Sequence, residues 1–334
     1  MVASAMERSE TLDPSIAILR KILTSESESL ARRFRALFSL KYFASLKPPT
    51  VQTLPAIQSI VAAFSSQSAL LKHELAYCLG QSKNPDAVSY LRHVLVDRDE
   101  DTMCRHEAAE ALGALGYPES LEILKGVRDD ENESDIIRET CDIAIDRILW
   151  ETSKERRTER LKPSDFTSVD PAPPLPLSSE EPSIPMLESI LLDTNLSLFQ
   201  RYRAMFALRD LSSPPDLPTA VPAVQALARG LHDKSALFRH EIAFVFGQLC
   251  HPASIPSLTA TLSDLGEVGM VRHEAAEALG SLGDEEGVDE TLRKFLNDPE
   301  QVVRDSIIVA LDMAAHEKNG EKEYVLIPET VSIA

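Results

Sequence analysis

The chain is 334 residues long, room for roughly two domains at ~150 residues each, and at 43% hydrophobic it can bury a sizeable core. Only 5% of it is aromatic, so that core must be mostly Ala, Leu, Ile and Val. With 34 Lys+Arg against 53 Asp+Glu the formal charge is -19, which argues against a nucleic-acid partner and suits a cationic substrate or a basic protein, although acidity for solubility alone gives the same count.

The first fifteen residues are polar and mixed in charge and read as neither a secretory signal nor an Arg-rich transit peptide. No apolar run approaches the ~20 residues that span a bilayer, so no membrane partner is expected. Cys78, Cys104, Cys141 and Cys250 form no CxxC pair, which fits free thiols in a reducing compartment. The expected location is cytoplasmic, with the nucleus as the alternative.

From about residue 15 the chain reads as paired amphipathic helices. Arg33 to Leu40 reads RFRALFSL, Ser68 to Gln81 reads SALLKHELAYCLGQ, and 105–113 reads RHEAAEALG. All three return later: Arg201 to Leu208 reads RYRAMFAL, Ser235 to Gln248 reads SALFRHEIAFVFGQ, and 272–280 reads RHEAAEALG again. The chain is a duplicated half. Within each half a 33-residue period separates His73 from His106 and His240 from His273. One such unit pairs Asp86 to Leu95 with Met103 to Leu115 across the polar break Asp97 to Asp101. Gly116 and Gly283 are expected as the C-terminal stops of their helices. Strand signals are almost absent. Helical hairpins of this length stack into an α-solenoid.

The expected fold is therefore all-α: eight hairpins in two four-repeat halves that face each other across a metal site. The expected boundaries are an N-terminal half at 1–150, a Pro-rich linker at 151–182, a C-terminal half at 183–320 and a loose tail at 321–334. The linker contains Asp170-Pro-Ala-Pro-Pro-Leu-Pro, too proline-rich for helix, and reads as extended or disordered.

Four His-Glu pairs fall at one register of the second helices: His73-Glu74, His106-Glu107, His240-Glu241 and His273-Glu274. The outer units carry Phe34, Glu139, Tyr202 and Asp305 there, so the pair is not a demand of the repeat. Equivalent helices of adjacent repeats lie about 8–10 Å apart, close enough for two such histidines to share one ion. Two His plus a carboxylate with open positions is the non-haem iron pattern, and two such sets brought together suggest a dinuclear iron centre. Structural zinc would more often use Cys, and no cysteine shares the register. His93, His232, His251 and His316 lie outside it. Tyr77 and Phe244, four residues after His73 and His240, are expected in the core, with walling of the site as the alternative. No nicotinamide or flavin fingerprint is present, so electrons must come from an external reductant. A non-catalytic protein-binding scaffold, a hydrolytic dinuclear metalloenzyme and a bilin lyase are the competing readings. The last leaves the four matched His-Glu pairs unexplained.

On these four motifs and their paired spacing the chain resembles the deoxyhypusine hydroxylases, HEAT-repeat di-iron monooxygenases, over about residues 15–320. The resemblance implies two Fe2+ ions, O2 as co-substrate, and a protein substrate: the deoxyhypusine-bearing translation initiation factor, whose side chain is hydroxylated to hypusine. It implies that His73, His106 and Glu107 hold one iron and His240, His273 and Glu274 the other. Glu74 and Glu241 are then either further ligands or, as preferred, catalytic-site carboxylates that grip the substrate's cationic amines. The duplication suggests that a monomer suffices.

Overall fold

The computed structural model describes residues 13–176 and 183–318. The N-terminal extension before residue 13 and the tail after 318 lie outside the described residues. Seventeen α-helices and short 3-10 turns make up the described chain, with no strand among those residues.

In the first half the hairpins are α1 (Pro14–Leu23) with α2 (Leu30–Ala44), α3 (Thr53–Val61) with α4 (Ala69–Gln81), α5 (Val88–Val96) with α6 (Thr102–Leu115), and α7 (Leu121–Arg128) with α8 (Asp135–Thr152). A single turn, α9 (Glu155–Thr158), follows. The second half pairs α10 (Ile184–Leu192) with α11 (Leu198–Leu211), α12 (Ala220–Arg229) with α13 (Ala236–Leu249), α14 (Ile255–Ser263) with α15 (Gly269–Gly280), and α16 (Val288–Arg293) with α17 (Gln301–Lys318). Each first helix packs on its own second helix, and the second helices stack on one another. The His-Glu register lies on the second helices of the middle units, α4, α6, α13 and α15.

Local chemistry sets these elements. Ser29, Ser68, Ser134, Ser183, Ser197 and Ser235 cap helix N-termini, each accepting a hydrogen bond from a backbone N–H of the first turn. Gly116 stops α6 in the left-handed conformation at φ 74°, as the sequence led us to expect. Gly283 does not act this way. Helix α15 ends at Gly280 on a Ser281 cap. A Cβ on Gly283 would lie 2.7 Å from Ala314 Cβ, so this glycine serves close packing against α17.

A repeated arginine ties the two helices of five of the eight hairpins together. The Nε of Arg33, Arg105, Arg138, Arg201 and Arg272 donates to the carbonyl of the residue ten positions earlier, at the end of the preceding helix. It satisfies a carbonyl that the helix leaves orphaned. The guanidinium of Arg105 then clamps Glu133, that of Arg201 pairs with Asp233, and that of Arg272 clamps Asp298, tying one repeat to the next.

Small residues bring the second helices together. A Cβ on Gly80 of α4 would lie 2.8 Å from Ala111 Cα of α6, and one on Gly113 would lie 2.9 Å from Ala144 Cα of α8. The halves meet mainly through second helices: α17 packs on α2 and α4, and α8 packs on α11 and α13. Two equivalent hydrogen bonds join them: Ser68 Oγ donates to Asp305 Oδ2 at 3.4 Å, and Ser235 Oγ donates to Glu139 Oε2 at 2.6 Å. Arg35 and Asp312 form an ion pair across the same interface.

The connection between the halves is extended over residues 159–176, yet it is not a free tether. Gln81 Nε2 donates to the Val169 carbonyl at 3.2 Å and its Oε1 accepts from Val169 N at 2.8 Å. Asp170 pairs with Arg209 at 2.9 Å, Arg203 clamps Glu159, and Ala172 is fully buried. This strap is held by both halves. Residues 177–182 lie outside the described residues.

Gly80→Val should force α4 from α6 and lower stability by about 1–3 kcal/mol. Gly126→Ala, on α7 with nothing near its added Cβ, should raise it by about 0.5–1 kcal/mol. Thermal melts of the two variants check this, and equal midpoints would contradict the close-packing account.

Candidate metal centre

The four histidines meet between the halves. His73 and His106 rings stack with centroids 5.9 Å apart, and His240 and His273 lie 5.5 Å apart. Across the interface His73 lies 5.3 Å from His273, and His106 lies 5.2 Å from His240. All four are buried, His106 and His273 at 0% exposure.

Each half also converges on one of its own glutamates. His73 Nε2 and His106 Nε2 lie 3.3 and 3.8 Å from Glu107 Oε2. His240 Nε2 and His273 Nε2 lie 3.3 and 3.9 Å from Glu274 Oε2. The two sets merge: ligand atoms of His73, His106 and His240 all lie within 4.8 Å of one another, as do those of His240, His273 and Glu274. Glu74 and Glu241, the other two sequence candidates, line the adjoining cavity of about 320 Å³. There the Cys78 thiol donates weakly to Glu74 Oε1 at 3.9 Å, and Glu241 Oε1 has no partner.

Two acids were not singled out from the sequence. Glu110 and Glu277 stand four residues after His106 and His273 and face the same cavity. Glu110 completes a third group of close ligand atoms with His106 and Glu107. Glu277 Oε1 accepts from Ser306 Oγ at 3.3 Å and lies 3.7 Å from His273 Nδ1. The signal was in plain view: the repeated nonapeptide RHEAAEALG holds a second Glu one helical turn after its His.

Tyr77 and Phe244 also face the cavity, edge-on to each other with centroids 6.1 Å apart. They join the two readings that the sequence held apart, since Tyr77 packs against the core as well. Lys41 is the only cation lining this cavity among the described residues. His93 lies on α5, His232 and His251 lie at 3-10 turns, and His316 lies near the end of α17, all away from the cluster.

Burial dominates the electrostatics. It pushes Glu107, Glu110, Glu241 and Glu277 well above the ordinary carboxylate range, and neighbouring glutamates push the same way. Glu74 is raised by burial too, although His73 and Lys41 oppose it. Burial pushes the His106 and His273 imidazoles well below their usual range. The imidazoles are thus held in the neutral form that ligates metals.

The donor set fits a metal. The Nε2 atoms of all four histidines are buried without a hydrogen-bond partner. Orphaned buried nitrogens are costly, and crowded buried carboxylates more so, unless a cation satisfies both. Thr140 sets the tautomer of one candidate ligand. Its hydroxyl donates to the Ile136 carbonyl at 2.7 Å, so at 3.1 Å from His106 Nδ1 it can only accept. Nδ1 therefore carries the proton and Nε2 offers its lone pair to the cluster.

Thr140→Val should weaken metal binding about 10–100-fold, the usual cost of losing such a support. Titration of metal-stripped protein with a divalent metal checks this, and unchanged affinity would contradict the assigned tautomer.

Comparison with known proteins agrees with this architecture. A family model for HEAT repeats matches residues 57–144 and 224–312. The deoxyhypusine hydroxylase of Aspergillus oryzae is 73% identical over 334 residues, covering 100% of this chain and 98% of that one. That of Coccidioides immitis is 77% identical over 312 residues, covering 93% of each. Among solved structures, human deoxyhypusine hydroxylase in complex with glycerol superposes with a TM-score of 0.79 at 44% identity, covering 90% of this chain and 96% of that one. With fold, repeats and relatives in agreement along nearly its whole length, the chain belongs to the deoxyhypusine hydroxylase family.

Proposed function

We propose that this protein hydroxylates the deoxyhypusine side chain of a translation initiation factor, using two Fe2+ ions, O2 and an external reductant. The observation that carries the reading is the convergence of two imidazole Nε2 atoms on one glutamate in each half, beside an acidic cavity. His73, His106 and Glu107 would hold one iron, and His240, His273 and Glu274 the other. A purely scaffolding role leaves four buried imidazoles and the surrounding acids without a use.

The bond to be attacked is an alkyl C–H, which no side chain here can activate; bound iron with O2 would supply the oxidising power. The chain's own part is recognition and placement. Phe38, Tyr77 and Phe244 offer aromatic faces to the methylenes of a long aliphatic amine. Glu74 and Glu241 offer carboxylates to its ammonium groups, and Glu241 Oε1 is free to accept. Held between the two, one carbon of the chain would be set beside the histidine cluster, which is catalysis by positioning.

The direct test is to incubate the iron-loaded protein with a deoxyhypusine-bearing initiation factor, a reductant and heavy-isotope dioxygen. Mass spectrometry should show one heavy oxygen atom on the modified lysine; an added oxygen without the label would come from water and overturn the oxygenase reading, as would a side chain that gains no oxygen. Glu241→Gln should keep its iron but lose turnover about 100-fold or more, as expected for a lost positioning contact. Loss of iron from this variant, read by elemental analysis, would make Glu241 a ligand instead of a clamp.

A further inference from the structure

The duplication should create two equivalent approaches to the cluster, and the structure keeps only one open. Glu277, Gly280 and Ala310 line a cavity of about 190 Å³ that adjoins the acidic one. Their counterparts in the other half, Glu110, Gly113 and Ala144, line a space of only about 10 Å³, bordered by Arg147 of α8 and Pro171 of the strap.

The same asymmetry holds for one pair of cations. Lys41 and Arg209 occupy equivalent places, each eight residues after the arginine that anchors its hairpin. Each lies over equivalent rings: Lys41 Nζ is 5.8 Å from the Phe38 centroid, and the Arg209 guanidinium is 4.8 Å from that of Phe206. Arg209 is covered by the strap. It pairs with Asp170 at 2.9 Å and stacks on Phe166 at 4.3 Å. Lys41 is only half-buried, with its Nζ 4.7 Å from the Tyr77 centroid. Among the described residues no carboxylate lies within ion-pair distance of it.

We infer that the open approach receives an extended segment of the protein substrate, with a carboxylate of that segment seated on Lys41 as Asp170 of the strap is seated on Arg209. Lys41 is then a specificity-determining residue. It reads the backbone region beside the modified side chain, while the glutamates deeper in the cavity receive the amine. The strap shows what the seat accepts: an extended, proline-containing chain with one acid directed at the cation. The inference rests on the proposed function and deepens it.

The experiment is steady-state turnover of the deoxyhypusine-bearing initiation factor by iron-loaded full-length protein. Lys41→Met should raise KM about tenfold with kcat within about twofold, the loss of one charge-assisted contact. Lys41→Arg should stay near the wild type, and the KM of Lys41→Met should depend less on salt than the wild-type value does. Thermal melts and iron content of the variants separate misfolding from lost recognition. Unchanged KM in a folded Lys41→Met overturns the inference. So does a lowered KM, which would mean that Lys41 competes with the substrate's ammonium. If the wild-type chain turns over while Lys41→Met behaves identically, the proposed function stands and only this inference fails. If the wild-type chain does not turn over, the functional reading fails and takes the inference with it.

Discussion

Four imidazoles and six glutamates meet in one buried space between the halves, and Lys41 is the single lysine lining it among the described residues. Taking so many ionisable groups out of water is unfavourable unless something compensates. Among the described residues no lysine or arginine pairs with the histidine nitrogens. The structure is therefore arranged around a cluster that its own residues do not satisfy, and cation binding is what such a cluster demands. The glycine–alanine contacts that draw α4, α6 and α8 together, the arginines that tie hairpin helices together, and the serine–carboxylate bonds between halves all serve to hold those groups in place.

The residues beside the outer ring nitrogens differ between the halves. His106 rests on Thr140, a neutral acceptor, while its counterpart His273 faces Glu277, which Ser306 holds. Both arrangements leave Nε2 aimed at the cluster. The duplicated halves need not be chemically identical for the site to form, provided that each offers two imidazoles and a carboxylate.

Much of this was legible in the sequence. The 33-residue period, the duplicated nonapeptide and the His-Glu register placed the second helices and the candidate ligands. Other features were hidden for physical reasons. Thr140 and Ser306 are short polar residues on neighbouring helices, and no spacing rule links them to His106 or Glu277. Glu110 and Glu277 could have been found, because position i+4 shares a helix face with the histidine. Gly283 looked like a helix stop but is a packing residue, since a glycine's role depends on what lies across from it. The linker's proline content pointed to an extended segment, and residues 159–176 are extended, although α9 stands earlier in the same stretch. It said nothing of Gln81 and Arg209, which pin it and break the molecule's pseudo-symmetry.

Metal bound by these residues would balance the buried cluster. The most direct measurement is elemental analysis of the purified full-length protein, with the thermal midpoint read before and after chelation. Roughly two iron ions per chain are expected, with a midpoint that falls when they are removed, because ligand bound only to the native state adds to its stability. A folded protein that holds no metal, binds none on titration and melts at the same temperature throughout would contradict it.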